Sequence, residues 1–178
     1  VVKDSTDNWI GWIPFNQMPN SENPSRGWLG TCNHKTVDAN YPYYYSSHFA
    51  ASYRYRRLKQ LLDAPGPKSV DDHWQYQRDP TNTMAQAVCP IMAKALISYP
   101  DTKEIGNILA DWDHRDDPGL MAPTLFQAIY RNFFRLVFED ELGPHITATM
   151  LNEGYFWQER LQRMVLAGDL RRIDRGLY

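Results

Sequence analysis

Only two cysteines occur in the 178 residues, Cys32 and Cys89, and their spacing fits no zinc or thioredoxin-type motif. One disulfide between them is conceivable, and the count alone fixes no redox compartment. No apolar run approaches the ~20 residues that a membrane-spanning helix requires. Charge of one sign is also missing. The net charge of −2 and the pI near 6.2 give no basic field to attract nucleic acid or anionic lipid. The basic runs Arg54-Tyr55-Arg56-Arg57 and Arg171-Arg172 are short, and acidic residues lie close to both. The opening Val1-Val2-Lys3-Asp4 has neither the apolar core nor the cleavage site of a signal peptide. Val1 in place of an initiator Met suits an excised or processed chain. No internal repeat or low-complexity tract is present.

What remains has ordinary globular proportions, 43% hydrophobic and 22% charged, in a length sufficient for one domain with a real core. Aromatic residues are abundant, with 6 Trp, 11 Tyr and 7 Phe, many of them within Trp9–Tyr55. Residues 1–43 form an irregular leader, because Pro14, Pro19, Pro24 and Pro42 with Gly11, Gly27 and Gly30 forbid long helices. Two short apolar runs there, Trp9–Phe15 and Trp28–Cys32, are candidate strands. They would find few partners within this chain, and an isolated hairpin is marginal in water. They are therefore expected to pair with sequence outside it, or with another copy.

Residues 44–178 read as a helical domain. Phe49, Tyr53, Arg56-Arg57 and Gln60-Leu61 recur at helical spacing from about Ser46 to Asp63, stopped by Ala64-Pro65-Gly66-Pro67. Ser69 heads a second helix as an N-cap, with Asp71 and Asp72 at its positive end, running to about Asp79-Pro80. A third helix is expected from Thr83 to Ser98, kinked by Pro90. A fourth opens at Asp101–Glu104, and the strongest spans Ala122–Leu142. There Leu125, Ile129, Phe133, Leu136-Val137 and Asp140 mark the stripe, ended by Gly143-Pro144. One or two more helices fill 145–178. The class is mainly α, with five or six helices behind a leader whose strands belong elsewhere.

The leader carries an ordered series: Trp9-Ile10-Gly11-Trp12-Ile13-Pro14-Phe15, then Met18-Pro19, then Asn23-Pro24 and Arg26-Gly27-Trp28-Leu29-Gly30-Thr31-Cys32-Asn33-His34. Tyr41-Pro42 follows, then Tyr53-Arg54-Tyr55-Arg56-Arg57-Leu58 with Leu61-Leu62. Farther on come Leu109-Ala110-Asp111-Trp112-Asp113 and the Thr124–Gly143 helix. Over residues 8–143 this series resembles the penicillin acylase (penicillin amidase) family of N-terminal-nucleophile hydrolases, in the middle portion of the large subunit. No single element is specific; the ordered combination is. The resemblance implies an amide hydrolase whose N-terminal Ser, Thr or Cys uses its own α-amine as base. The ordinary pKa of that amine, ~7.7–8.0, suits proton transfer near neutral pH.

On that resemblance Asn33 matches the oxyanion-hole asparagine, and Arg54 the arginine near the nucleophile's amine. The leader's strands would belong to the parent's αββα sheet. The partners implied are a small-molecule acyl amide, such as a β-lactam side chain or an acyl-homoserine lactone, and the remainder of the same precursor. The parent is placed in the periplasm or outside the cell. Two departures stand out. The family commonly has Asn-Asn where this chain has Asn33-His34. After Tyr41-Pro42, where some members carry an acidic calcium ligand, this chain has Tyr43-Tyr44-Tyr45-Ser46-Ser47, so no calcium or other cofactor is assigned. The chain begins with Val1 and so lacks the nucleophile, and alone it is expected to be inactive.

Plainer readings compete at each position. Asn33 alone would be a turn residue and Arg54 a solvated helix residue. Tyr43, Tyr44 and Tyr45 are candidates for an acyl-binding pocket, against the commoner role of aromatics in a core. Asp111, Asp113, His114, Asp116 and Asp117 read better as a solvated loop with Asp-Asp-Pro-Gly turn chemistry than as a metal site. His48, His73 and His145 belong to no motif, and Cys32 reads as a small hydrophobe. The competing function of another class is a non-catalytic helical interaction module on the same scaffold.

Overall fold

The computed structural model describes residues 11–46, 48–154 and 156–168. Trp9 and Ile10 of the first candidate strand, the Arg171-Arg172 pair and any helix beyond residue 168 lie outside that range. Within it the protein is mainly helical: α1 (Tyr53–Asp63), α2 (Val70–Gln77), α3 (Thr83–Ile97), α4 (Lys103–Ala110), α5 (Ala122–Glu153) and α6 (Phe156–Ala167), with two short 3-10 turns at Phe15–Gln17 and Pro100–Thr102. Among the described residues the only β-pairing is a single bridge between Thr81 and Arg115.

Local chemistry explains most boundaries. Ser69 and Asp72 form a reciprocal capping box at the start of α2. The Asp72 amide donates to Ser69 Oγ at 3.1 Å and the Ser69 amide to Asp72 Oδ2 at 2.7 Å. Asn82 caps α3 by accepting from the Ala85 amide at 2.9 Å. The helix then continues through Pro90 to Ile97.

Two expectations need correction, on the first helix and on Trp28–Cys32, and one is met at Gly143-Pro144. The first helix begins at Tyr53, not near Ser46, because the Ala50 amide donates to the Asn33 carbonyl at 2.7 Å and holds the preceding chain against the leader. The break expected at Gly143-Pro144 is present. Gly143 takes a left-handed φ of 75° with ψ 160°, the direction changes, and the helix resumes to Glu153. Trp28–Cys32 is not a strand; it lies along α1 with no paired strand among the described residues.

The core is aromatic and sits where α3, α4, α5 and α6 meet. Its deepest stripe on α5 is Ala122, Phe126, Tyr130 and Phe134, one position away from the stripe read from sequence. Leu125, Ile129, Phe133 and Val137 pack at its margin, and Leu136 is 81% exposed. Rings make the difference. Trp112, Phe126, Tyr130 and Trp157 follow one another at centroid distances of 5.7, 5.6 and 5.8 Å, and Phe134 meets Trp157 at 4.7 Å. The Tyr130 hydroxyl, taken into this core, donates to the Gln158 carbonyl at 2.8 Å. Gly106 on α4 allows close approach to α3: a Cβ there would stand 2.8 Å from the Ile97 amide nitrogen.

Candidate active site

Residues 26–34 of the leader are laid along the exposed side of α1 by polar and aromatic contacts. Arg26 donates through Nε to the Trp28 carbonyl and through Nη1 to the Tyr55 hydroxyl, each at 2.9 Å, and its guanidinium lies 4.2 Å above the Trp28 ring. The Trp28 indole in turn donates to Asp63 Oδ1 at 2.9 Å. Gly30 keeps the backbone close, since a Cβ there would meet Leu58 Cδ2 at 3.1 Å. His34 stacks on Tyr55 with ring centroids 3.6 Å apart. Burial, and then the charge of Arg26, lower its pKa. Its Nδ1 accepts from the Cys32 amide, 3.5 Å away.

These contacts bring Asn33 and Arg54 together. Asn33 has a φ of 60°, a left-handed conformation that asparagine tolerates better than most residues. Its carbonyl is tied to the Ala50 amide. Arg54 is the second residue of α1, and its Nη2 donates at 2.9 Å both to the Cys32 carbonyl and to Asn33 Oδ1. A carboxamide has one acceptor oxygen and one donor nitrogen. With Oδ1 turned to the guanidinium, Nδ2 and its two protons face away from it. Both side chains stand at the exposed surface, so the arrangement is a donor presented outward from a charged anchor.

The other sequence candidates fall elsewhere. Tyr43 donates to the Gln17 side chain and Tyr41 to the Gln17 carbonyl. Tyr41 meets Tyr43 and Tyr45 edge to face, and Tyr45 stacks on Phe49. These rings hold the leader to itself, while Tyr44 points outward. A cavity of about 720 Å³ opens on the other side of Arg54, bounded by Cys32, Arg57, Leu58, Asp79 and Asp116; it contains none of Tyr43, Tyr44 and Tyr45. In the acidic loop three carboxylates are engaged: Asp113 and Asp117 with Arg115, and Asp116 with Asn82. Cys32 and Cys89 are both free thiols, and burial raises the Cys89 pKa to about 11.

One group near the site carried no sequence signal. Glu159 of α6 accepts from the Ser52 amide at 3.0 Å, from the Ser52 hydroxyl at 2.6 Å and from Arg56 at 2.8 Å. The partners are separated by more than a hundred residues, beyond any periodicity or capping pattern. The only hint in the sequence is that Ser52 precedes α1 without an acidic residue in its first turn.

Comparison with known proteins bears on the family. The family model described as penicillin amidase matches residues 2–175. The penicillin acylase 2 proenzyme of Pseudomonas sp. (strain SE83) is 29% identical over 133 residues, covering 72% of this chain and 17% of that protein. The acyl-homoserine lactone acylase QuiP of Pseudomonas aeruginosa is 28% identical over 155 residues, 79% of this chain and 18% of its own length. The QuiP protein of Pseudomonas fluorescens is 26% identical over 151 residues, with 77% and 18% covered. The chain therefore spans less than a fifth of the curated relatives it matches.

Proposed function

The chain belongs to the penicillin amidase family, and from that membership we propose that it forms part of an enzyme releasing an acyl group from an amine. Asn33 is the oxyanion donor of that enzyme and Arg54 its anchor. The observation that carries the reading is the hydrogen bond from Arg54 Nη2 to Asn33 Oδ1, which leaves Nδ2 as an outward donor. When a nucleophile adds to an amide carbonyl, negative charge develops on the former carbonyl oxygen, and donors already in place stabilise it. A neutral carboxamide does this without taking up the nucleophile's proton. The guanidinium behind it polarises the same amide and strengthens the donor, as hydrogen bonds in series do.

In the parent enzyme the attacking hydroxyl or thiol belongs to a chain-terminal Ser, Thr or Cys, with its α-amine taking the proton. The tetrahedral intermediate collapses with departure of the amine, and water then releases the acyl group. The relatives' names, penicillin acylase and acyl-homoserine lactone acylase, point to β-lactam side chains or acyl-homoserine lactones as the amide class for this chain. Asn33 stands at an open surface in this chain, without the dry walls that such a donor needs, and this supports the reading that the chain taken alone is inactive. The remainder of the precursor covers Asn33 and the outward rings of Trp12 and Phe15. The parent works in the periplasm or outside the cell.

The test is Asn33→Ala in the parent enzyme. Turnover should fall about 10²- to 10³-fold with KM nearly unchanged, because the donor acts on charge that exists only in the transition state. Unchanged turnover, or a loss explained by a lower melting temperature, would reduce Asn33 to a turn residue.

A further inference from the structure

Helix α1, which carries Arg54, is not capped by its own sequence: the Ser52 side chain makes no bond to the helix that follows it. Its cap comes from the other end of the chain. Glu159 Oε2 receives the Ser52 amide at 3.0 Å and Oε1 receives the Ser52 hydroxyl at 2.6 Å. Arg56 and Arg163 also donate to Oε1, at 2.8 and 3.2 Å. The Glu159 side chain is only 14% exposed. A carboxylate at this place satisfies the Ser52 amide and meets the positive end of the helix.

The same few residues are tied to the site on their other side. Two positions before Ser52, the Ala50 amide donates to the Asn33 carbonyl, and two positions after it Arg54 reaches Cys32 O and Asn33 Oδ1. Residues 50–54 are thus held between Asn33 and Glu159. We propose that Glu159 is a positioning residue for the site: it fixes the first turn of α1, so that the Arg54 guanidinium meets the Asn33 carboxamide in one orientation. The inference rests on the reading of Asn33 and Arg54 given above.

The surroundings make the carboxylate hard to replace. Arg56 and Tyr53 of α1 and Arg163 of α6 face it, and His34 and Lys35 of the leader line the same small groove. Without the carboxyl group, Arg56 and Arg163 confront each other beside a helix N-terminus, and Ser52 loses its acceptor. The turn then frays, and Arg54 moves with it.

The experiment is two-dimensional ¹⁵N NMR with hydrogen exchange on the 178-residue chain, comparing wild type with Glu159→Gln, Glu159→Asp and Glu159→Ala. In wild type the Ser52 amide resonance should titrate in acid with the Glu159 carboxylate; in Glu159→Gln that step should vanish, which separates it from any effect of His34. In Glu159→Ala, amides of the first turn of α1 should exchange about two- to thirtyfold faster, the range expected for a lost cap, while those of α3 and α5 keep their protection. The Asn33 side-chain NH₂ pair should shift in Glu159→Ala and return toward wild type in Glu159→Asp. An unmoved Asn33 NH₂ pair would overturn the proposal, because Glu159 would then be a cap without influence on the site. Should Glu159→Ala lose protection throughout α3 and α5, the near-isosteric Glu159→Gln variant is read in its place, and an unmoved Asn33 NH₂ pair there would overturn the proposal. Should Asn33→Ala leave the parent's turnover intact while these couplings hold, the catalytic reading fails and the coupling from Glu159 to Asn33 stands.

Discussion

Trp12 is 96% exposed and Trp112 is 5% exposed, and the contrast runs through the two regions they belong to. In the helical region, rings stack edge and face around Phe126, Tyr130, Phe134 and Trp157 and exclude water. In the leader, rings are held by their polar edges or by a cation: Tyr41 and Tyr43 on Gln17, Trp28 on Asp63 and under Arg26. Among the described residues, none of the leader's rings joins the buried core. Helices satisfy their own backbone and can spend their side chains on a core. A leader rich in Pro and Gly cannot, so its conformation depends on side-chain tethers to α1. That dependence is also what places an asparagine at the surface in a strained but defined geometry.

Changes of equal size in the two regions should therefore act on different quantities. The largest stability effect is expected for Phe134→Ala, which empties a fully buried site between Trp157 and Phe138 and should cost about 3–5 kcal/mol. Chemical denaturation of the 178-residue chain reads it, and a loss under about 1 kcal/mol would mean that the aromatic stack does not hold the fold. Next comes Asn33→Ala in the parent enzyme, at about 2.7–4 kcal/mol of activation barrier with little change in melting temperature. If stability fell with activity, the division between a core that folds and a leader that acts would collapse.

Gly106→Ala should be smaller, about 1–3 kcal/mol, because the new methyl would press on the Ile97 amide nitrogen and the Ala93 carbonyl. That steric cost opposes the gain of about 1 kcal/mol that alanine brings to a helix interior, so an unchanged melting curve would show that α3 and α4 can separate freely.

Acid should act mainly through tethers. Burial pushes the Asp79 and Glu159 carboxyls up, but hydrogen bonds from Arg57 and Thr81 to the first, and from Ser52 and Arg163 to the second, hold both below their ordinary values. A carboxyl whose folded pKa is depressed stabilises the fold above its unfolded pKa and loses that contribution as the pH falls through the folded value. Melting temperature should therefore decline below about pH 4, and less steeply in Glu159→Gln. Asp116 works the other way: burial, together with the Asp117 charge, raises its pKa against the hydrogen bond from Asn82. Acid relieves that strain, and Asp116→Asn should steepen the acid loss. Smallest of all is Trp12→Ser, expected within about 0.5 kcal/mol by melting of this chain. A larger loss would show that the outward face of the leader is already packed against something in solution.

The sequence by itself determined whatever is decided within a few residues. Ser69 with Asp72 announced the start of α2, Pro65-Gly66-Pro67 the end of α1 and Gly143-Pro144 a break in α5, because capping, ring closure at proline and left-handed glycine act between near neighbours. The ordered leader motifs pointed to the family, and to Asn33 and Arg54, without geometry. Tertiary structure decided the rest. The Ser52 amide at the start of α1 is bound by a carboxylate 107 positions away. The buried stripe of α5 turned by one residue because Trp112 and Trp157, from other elements, stack on Phe126 and Tyr130 rather than on Leu125 and Ile129. The direction of the Asn33 carboxamide was set by Arg54 on the neighbouring helix. A chain shows its local propensities residue by residue, but an orientation is fixed by contacts between residues far apart in sequence, and those exist only once the fold has brought them together.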